Sequence, residues 1–230
     1  MKHIPRFYFE QTIKEGRGLK LSLEQLHHVS KVLRIPTGGC VNVFNDINGE
    51  WQCELGKNGI VVPEKLIRSP LPEHGPNVAC ALINPHKFSI MLEKITELGV
   101  KEITPIITEY TQYQDFNSDK MKKIVIQACE QSRRLSVPTI NRVEHLNDFL
   151  ENFPRSSMLL IGNENEQSKT LKESLEEQCT FLVGPEGGFS EAETKLFSRY
   201  DFVTQFYFGQ NILRSETAAI AFVSSWMFSY

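Results

Sequence analysis

Two glycine-bearing segments near the C-terminus hold the residue types best arranged for ligand chemistry. The first, Gly184-Pro185-Glu186-Gly187-Gly188, follows the apolar run Phe181 to Val183 and precedes Phe189 and Ser190. The second, Gly209-Gln210-Asn211-Ile212-Leu213-Arg214, follows Val203 to Phe208 and leads into a helix-like stretch from Ser215. Glycine at the carboxyl end of a strand lets the backbone approach a ligand where open α/β sheets usually bind one. Two such turns in consecutive strand–loop–helix units imply a small-molecule site made mostly of main chain, with Ile212 and Leu213 as apolar walls. Neither segment ends in the Gly-Lys-Ser/Thr of a phosphate loop and neither reads G-x-G-x-x-G, so the usual nucleotide readings weaken. Taken alone, Gly187-Gly188 equally fits an ordinary tight turn before a capped helix; the second segment tips the balance. His27-His28 are adjacent rather than four apart, which disfavours a shared metal on one helix face, and no other metal-spaced cluster is visible.

The elements that must carry these loops read as alternating strands and helices. Val78 to Ile83 is a buried strand, and Phe88, Met91, Leu92, Ile95 and Leu98 share one face of a helix that Gly99 can end. A strand from Glu102 to Thr108, a helix from Ser118 to about Ser132 and a strand from Met158 to Ile161 follow. A helix around Ser168 to Gln178 leads into the strand Thr180 to Val183. Ser190 and Glu193 form a capping box for the next helix. The strand Val203 to Phe208 and the helix from Ser215 close the series. Such alternation predicts a mostly parallel sheet covered on both faces. Ahead of it, Arg6 to Phe9, Gly39 to Asn45, Glu50 to Leu55 and Gly59 to Leu66 are β-like, with one helical stretch from Leu23 to Leu33. This is the pattern of a small β-barrel. The predicted organisation is a front block of residues 1–70, a proline-rich linker at 71–76 and an α/β block at 77–230.

Composition narrows the function classes. The 230 residues are 40% hydrophobic, enough for a real core. The longest uncharged C-terminal stretch, Thr217 to Tyr230, is short of the ~20 apolar residues of a membrane span and contains three serines. Met1 to Arg6 lacks the apolar region of a signal peptide. Five scattered cysteines without a C-x-x-C pair argue against a disulfide framework and favour a reduced, cytoplasmic setting. Net charge is −3 overall, yet residues 1–70 hold 10 Lys+Arg against 7 Asp+Glu and the remainder 15 against 21. A basic front and an acidic back make the front block the better candidate for a polyanion.

The residues also carry a family resemblance. In the front block it rests on Pro5-Arg6-Phe7-Tyr8 and on the run His27 to Arg34. In the back block it rests on Lys94-Ile95-Thr96-Glu97-Leu98-Gly99-Val100, Ala128-Cys129-Glu130-Gln131-Ser132, Val183 to Ser190, and Leu213 to Ala218. Together these span nearly the whole chain, in order, and the chain resembles the RsmE family of SPOUT-class methyltransferases. One departure stands out: Asn84-Pro85-His86-Lys87 has proline where these enzymes often carry glycine.

The resemblance implies a PUA-like barrel in front, a parallel α/β domain with a deep C-terminal trefoil knot, and a homodimer. It implies methyl transfer from S-adenosylmethionine to the N3 nitrogen of a uridine in small-subunit (16S) ribosomal RNA, with no metal required and no membrane. The cofactor residues so expected are Gly184, Pro185, Glu186, Gly187, Gly188, Gly209, Ile212, Leu213 and Arg214. Arg214 is the candidate catalytic group, because a fixed cation stabilises the charge that a deprotonated uridine spreads onto its carbonyl oxygens. Its alternative is an ion pair with Glu216 or Glu186; either glutamate is open as the base or as a helix-start cap. Arg6, His28, Lys31 and Arg34 are the expected RNA contacts, Lys31 and Arg34 being three apart on one predicted helix face. Arg133-Arg134 either extend that track or complement a helix C-terminus. Two other readings stay open: a SPOUT enzyme with a different RNA target, and a non-catalytic RNA-binding factor of ribosome assembly.

Overall fold

The structure, a computed structural model, describes residues 4–72, 74–163 and 169–230. The chain forms two compact units, Met1–Glu73 with Ile126–Val137, and His74–Val125 with Pro138–Tyr230.

The first unit holds β1 (Arg6–Tyr8), β2 (Leu19–Lys20), α1 (Leu23–His27), β3 (Cys40–Asn45), β4 (Gly49–Leu55) and β5 (Ile60–Arg68). They form one sheet in the order β1-β3-β4-β5-β2, with only the β1–β3 pair parallel. Among the described residues the outer strands β1 and β2 do not pair with each other, so the small barrel expected is a curled half-barrel. Strand alternation sends Phe7, Val41, Val43, Cys53, Leu55 and Val61 into one core with Ile13, Leu19, Leu21 and Val29. Phe44, of opposite parity, is buried against Cys129 and Leu135 on the other face. Residues 126–137 therefore cover a sheet face that belongs to the front of the chain, a role that local patterning does not reveal.

Helix α1 starts on a capping box: Gln25 N–H donates to Ser22 Oγ (3.1 Å) and Ser22 N–H to Gln25 Oε1 (2.9 Å). It runs on into a single π-turn, His28–Val32, and Leu33 caps the end.

The second unit is built on β6 (Asn77–Ala81), α2 (Pro85–Glu97), β7 (Glu102–Ile107), α3 (Ser118–Ser132, whose C-terminal half belongs to the first unit), β8 (Thr139–Ile140), β9 (Glu144–His145) and α4 (Leu146–Asn152). It continues with β10 (Met158–Asn163), β11 (Lys169–Thr170), α5 (Leu171–Ser174), β12 (Cys179–Val183), α6 (Glu191–Phe197), β13 (Val203–Tyr207) and α7 (Ser215–Ser229). The sheet order is β11-β13-β10-β12-β6-β7-β8, with β9 also on β7, and every pairing is parallel. β12 is buried along its whole length between β10 and β6, which is why it reads as an unbroken apolar run. Gly99, at φ +100°, ends α2 in the left-handed region. The helix expected from Ser168 is only the four residues of α5, whose Thr170–Glu173 capping box is followed by an extended Leu175; Ser168 itself lies outside the described residues. β10 alone separates β12 from β13, so the loops leaving their carboxyl ends lie about two strand spacings apart, roughly 10 Å.

Candidate functional site

Both glycine loops open from that carboxyl edge. In the first, Gly188 adopts φ +71° and its N–H closes a turn onto Pro185 O at 3.0 Å. Ser190 then caps α6, its Oγ accepting from Glu193 N–H at 3.2 Å. Glu193 is 8% exposed, and its carboxylate accepts from Ser190 N–H and Glu109 N–H, both at 2.8 Å. One buried carboxylate thus ties the first loop to the loop after β7. In the second loop Gly209 takes φ +124°, and nothing lies within 4 Å of where a β-carbon would stand at Gly188 or Gly209. The two loops are joined directly: Ser215 Oγ donates to Gly184 O at 2.7 Å.

Between them is a cavity of about 530 Å³. It is walled by Gly184 to Phe189, by Tyr207 to Leu213, and by Ser215 and Ala218 of α7, with Gly162, Phe181, Leu182 and Val183 at its floor. Of the residues singled out from sequence, Gly184, Pro185, Glu186, Gly187, Gly188, Gly209, Ile212 and Leu213 all stand along this wall. Arg214 does not: it is exposed at the cap position of α7, between two lining residues. Among the described residues its guanidinium has neither of the expected ion pairs. Glu186 instead accepts from Lys87 Nζ (3.5 Å) and Asn84 N–H (3.4 Å). One carboxylate oxygen of Glu216 is buried without a hydrogen-bond partner among the described residues.

Sequence reasoning missed Gly162, the aromatic floor and the aromatic wall. Phe181 stacks on Phe222 at 4.4 Å and tilts against Phe206 and Phe208. A β-carbon at Gly162 would come within 3.2 Å of the Phe208 ring, so glycine there admits that ring. A glycine at a strand end is the one local sign that pointed to it.

The front-block candidates separate. Arg6 is a correction: it is 5% exposed, and its guanidinium is consumed inside the first unit. Nε pairs with Glu50 Oε1 at 2.8 Å, Nη1 donates to Cys129 O (2.8 Å) and Glu130 O (3.1 Å), and Nη2 to Arg134 O (3.1 Å). The group also lies 4.1 Å over the Phe44 ring. β1 places Arg6 on the same face as Phe44, under residues 126–137, where phosphate has no access. His28, Lys31 and Arg34 are exposed. Arg34 lies past the end of the helix at φ +52°, and the preceding turn is a widened π-turn, so the shared helical face inferred for Lys31 and Arg34 does not exist. Arg133 is exposed at φ +64°. Burial pulls the Arg134 guanidinium down to about 10, and its Nε donates to Ser136 Oγ at 3.2 Å.

Glu130, within the same buried network, accepts from Tyr8 N–H at 3.0 Å. Burial pushes its carboxyl up to about 7, against the opposing pull of that bond and of Arg6. Burial likewise pushes the Cys53 and Cys129 thiols up to about 12, which leaves them protonated and unreactive at neutral pH. No helix among the described residues is long and apolar enough to cross a membrane.

Known proteins resemble this chain over nearly its whole length. Residues 73–227 match the family model for an RNA methyltransferase domain. The chain is 31% identical to ribosomal RNA small subunit methyltransferase E of Rickettsia conorii, over 95% of this chain and 93% of that one. It is 26% identical to the enzyme of the same name from Bacillus subtilis, over 96% and 94%. Among solved structures, a putative methyltransferase of Legionella pneumophila in complex with SAM superposes with TM-score 0.85 at 29% identity, covering 99% of this chain and 98% of that one. Ribosomal RNA small subunit methyltransferase E of Neisseria gonorrhoeae, bound to S-adenosyl methionine, gives TM-score 0.83 at 25% identity, with the same two coverages.

Proposed function

We propose the following reaction for this chain, which belongs to the RsmE family of RNA methyltransferases: a methyl group passes from S-adenosylmethionine to the N3 nitrogen of a uridine in small-subunit ribosomal RNA. The observation that carries the reading is the cavity of about 530 Å³ between two interlocked strand-end loops. Its volume lies within the range of small-molecule sites, roughly 300–1,000 Å³. It also has the donor set the cofactor needs. Phe181, Phe208, Ile212 and Leu213 offer an apolar slot for adenine, and the backbone of residues 184–188 and 209–213 offers groups for the polar edges. The open space in front of Gly188 and Gly209 is room that any side chain would fill.

When bound, S-adenosylmethionine supplies an electrophilic methyl group on a sulfonium, which needs no metal to transfer. The chain's own task is to hold the uridine and manage its charge. N3 carries a proton at neutral pH, and its loss spreads negative charge onto the neighbouring carbonyl oxygens. Arg214 meets that charge: it is exposed beside the cavity and its guanidinium is not spent on Glu186 or Glu216. Glu186 is engaged by Lys87 and Asn84 and acts in holding the first loop.

The first unit supplies RNA contacts through His28, Lys31 and Arg34, all exposed around the π-turn. The chain acts as a homodimer in the cytoplasm. The exposed apolar residues of the last helix, Met227 at 40% and Phe228 at 82%, support a partner there. The family's C-terminal trefoil knot comes with the reading, supported by the loops after β12 and β13 flanking β10. The test is transfer of labelled methyl from S-adenosylmethionine to ribosomal RNA taken from cells lacking this protein. Incorporation into small-subunit RNA is expected; none, with cofactor binding intact, overturns the enzyme reading in favour of a binding factor.

A further inference from the structure

The loop from Glu109 to Asn117 joins β7 to α3 in the second unit and carries an aromatic at every third position: Tyr110, Tyr113 and Phe116. Tyr110 is 47% exposed and Tyr113 37%. Phe116 turns inward, edge-on to Phe88 of α2 at 6.2 Å. Exposed tyrosines on a loose loop would mean little, but this loop is fastened at both ends. Thr108 N–H donates to Thr111 Oγ1 (2.9 Å), Thr111 N–H returns to Thr108 O (3.2 Å), and Glu109 N–H is held by buried Glu193 (2.8 Å). At the far end Lys120 N–H donates to Asn117 Oδ1 at 2.9 Å. The loop that carries the rings is thus anchored at both ends.

Tyr110 lies against the first cavity loop, since a β-carbon at Gly187 would stand 3.2 Å from Tyr110 Cβ. The strip therefore begins at the rim of the proposed reaction site. At its other end α3 carries exposed Lys120, Lys122 and Lys123 within its first two turns, and no basic residue in its last turn. Aromatic faces followed by cations are the pairing that unpaired nucleic acid uses: bases stack on the rings and phosphates meet the ammonium groups.

We propose that Tyr110 and Tyr113, with the lysines at the start of α3, form a stacking platform for an unpaired RNA strand leading to the cofactor cavity. The inference rests on the RNA methyltransferase reading and assigns substrate-positioning residues to it. A target uridine has to leave its stack to reach the cavity, and a neighbouring base held on Tyr113 would keep the opened strand in place.

The test compares a fluorescein-labelled unstructured RNA strand with a blunt RNA duplex, using full-length protein and anisotropy. Tyr110→Ala/Tyr113→Ala is expected to weaken single-strand binding about tenfold or more, whereas Tyr110→Phe/Tyr113→Phe keeps it within about twofold, because the π-face remains. Duplex binding is expected to stay unchanged in both. Tyr113 does not line the cavity, and Tyr113→Ala alone is expected to raise KM for ribosomal RNA far more than it lowers kcat, with calorimetric cofactor affinity intact. Unchanged single-strand affinity overturns the platform. A concentration-dependent fall in sedimentation coefficient for the alanine variants also overturns it, since the rings would then be buried between protein copies. Failure of the parent reading is separate: wild-type protein would incorporate no methyl group, whatever the tyrosine variants did to strand binding.

Discussion

Replacing Arg6 by alanine separates a structural cation from an RNA contact. The guanidinium makes a buried ion pair with Glu50 and three hydrogen bonds to the carbonyls of Cys129, Glu130 and Arg134. Removing one partner of a buried pair costs about 3–5 kcal/mol, because the other charge is stranded. Glu50 keeps two weaker partners, Asn42 Nδ2 at 2.9 Å and Arg68 Nη1 at 3.4 Å, which places the expectation near the lower bound, about 3 kcal/mol. With a urea slope of roughly 2–3 kcal/mol per molar, the unfolding midpoint should fall by about 1 M. Trp51 reports from the first unit: it is half-buried and its indole N–H donates to Asn48 O at 2.9 Å. Its fluorescence can be isolated in a Trp226→Phe background. Arg6→Lys should recover little, since an ammonium cannot reproduce a fork that serves four acceptors. A midpoint unchanged in Arg6→Ala, together with weaker RNA binding and a shallower salt slope, would refute this reasoning and return Arg6 to the RNA surface.

Other perturbations bear on separate parts of the account. Glu130→Gln tests the buried carboxyl: its folded pKa of about 7 lies above the unfolded range, so the wild type loses stability as pH rises from about 4.5 to about 7. The glutamine variant should therefore gain a few kcal/mol relative to wild type at pH 8 and little at pH 5, as read by thermal unfolding. Gly209→Val puts a β-branched residue at φ +124° facing the cavity and should abolish calorimetric cofactor binding while circular dichroism stays native; unchanged binding would remove the second loop from the site. Arg214→Ala should bind cofactor normally yet methylate at least ~10²-fold more slowly, with Arg214→Lys recovering little. Near wild-type turnover would make Arg214 structural. Lys31→Ala/Arg34→Ala should flatten the slope of log affinity against log salt by about 0.7–0.9 per lost contact; an unchanged slope leaves both as solvated side chains.

The parallel sheet and its helices were legible because burial on two faces leaves long apolar runs and capping signals such as Ser190–Glu193 survive in the sequence. Both glycine loops were legible for a related reason: left-handed or closely approached backbone admits few residues besides glycine. What escaped depends on partners distant in the chain. Arg6 looks like a surface cation until residues 126–137 are laid over β1, more than a hundred positions away. The common helical face of Lys31 and Arg34 presumed 3.6 residues per turn, and a π-turn followed by a left-handed residue removes it. Helix α4 escaped because its seven residues show less than two full apolar periods and no side-chain cap.

The most direct test of the central claim is nucleoside mass spectrometry of small-subunit ribosomal RNA from cells with and without this protein. One N3-methyluridine is expected in the first and missing from the second, restored by wild-type protein but not by Arg214→Ala. An N3-methyluridine content identical in both, or a lost methyl group on a ribose or another base, would contradict it.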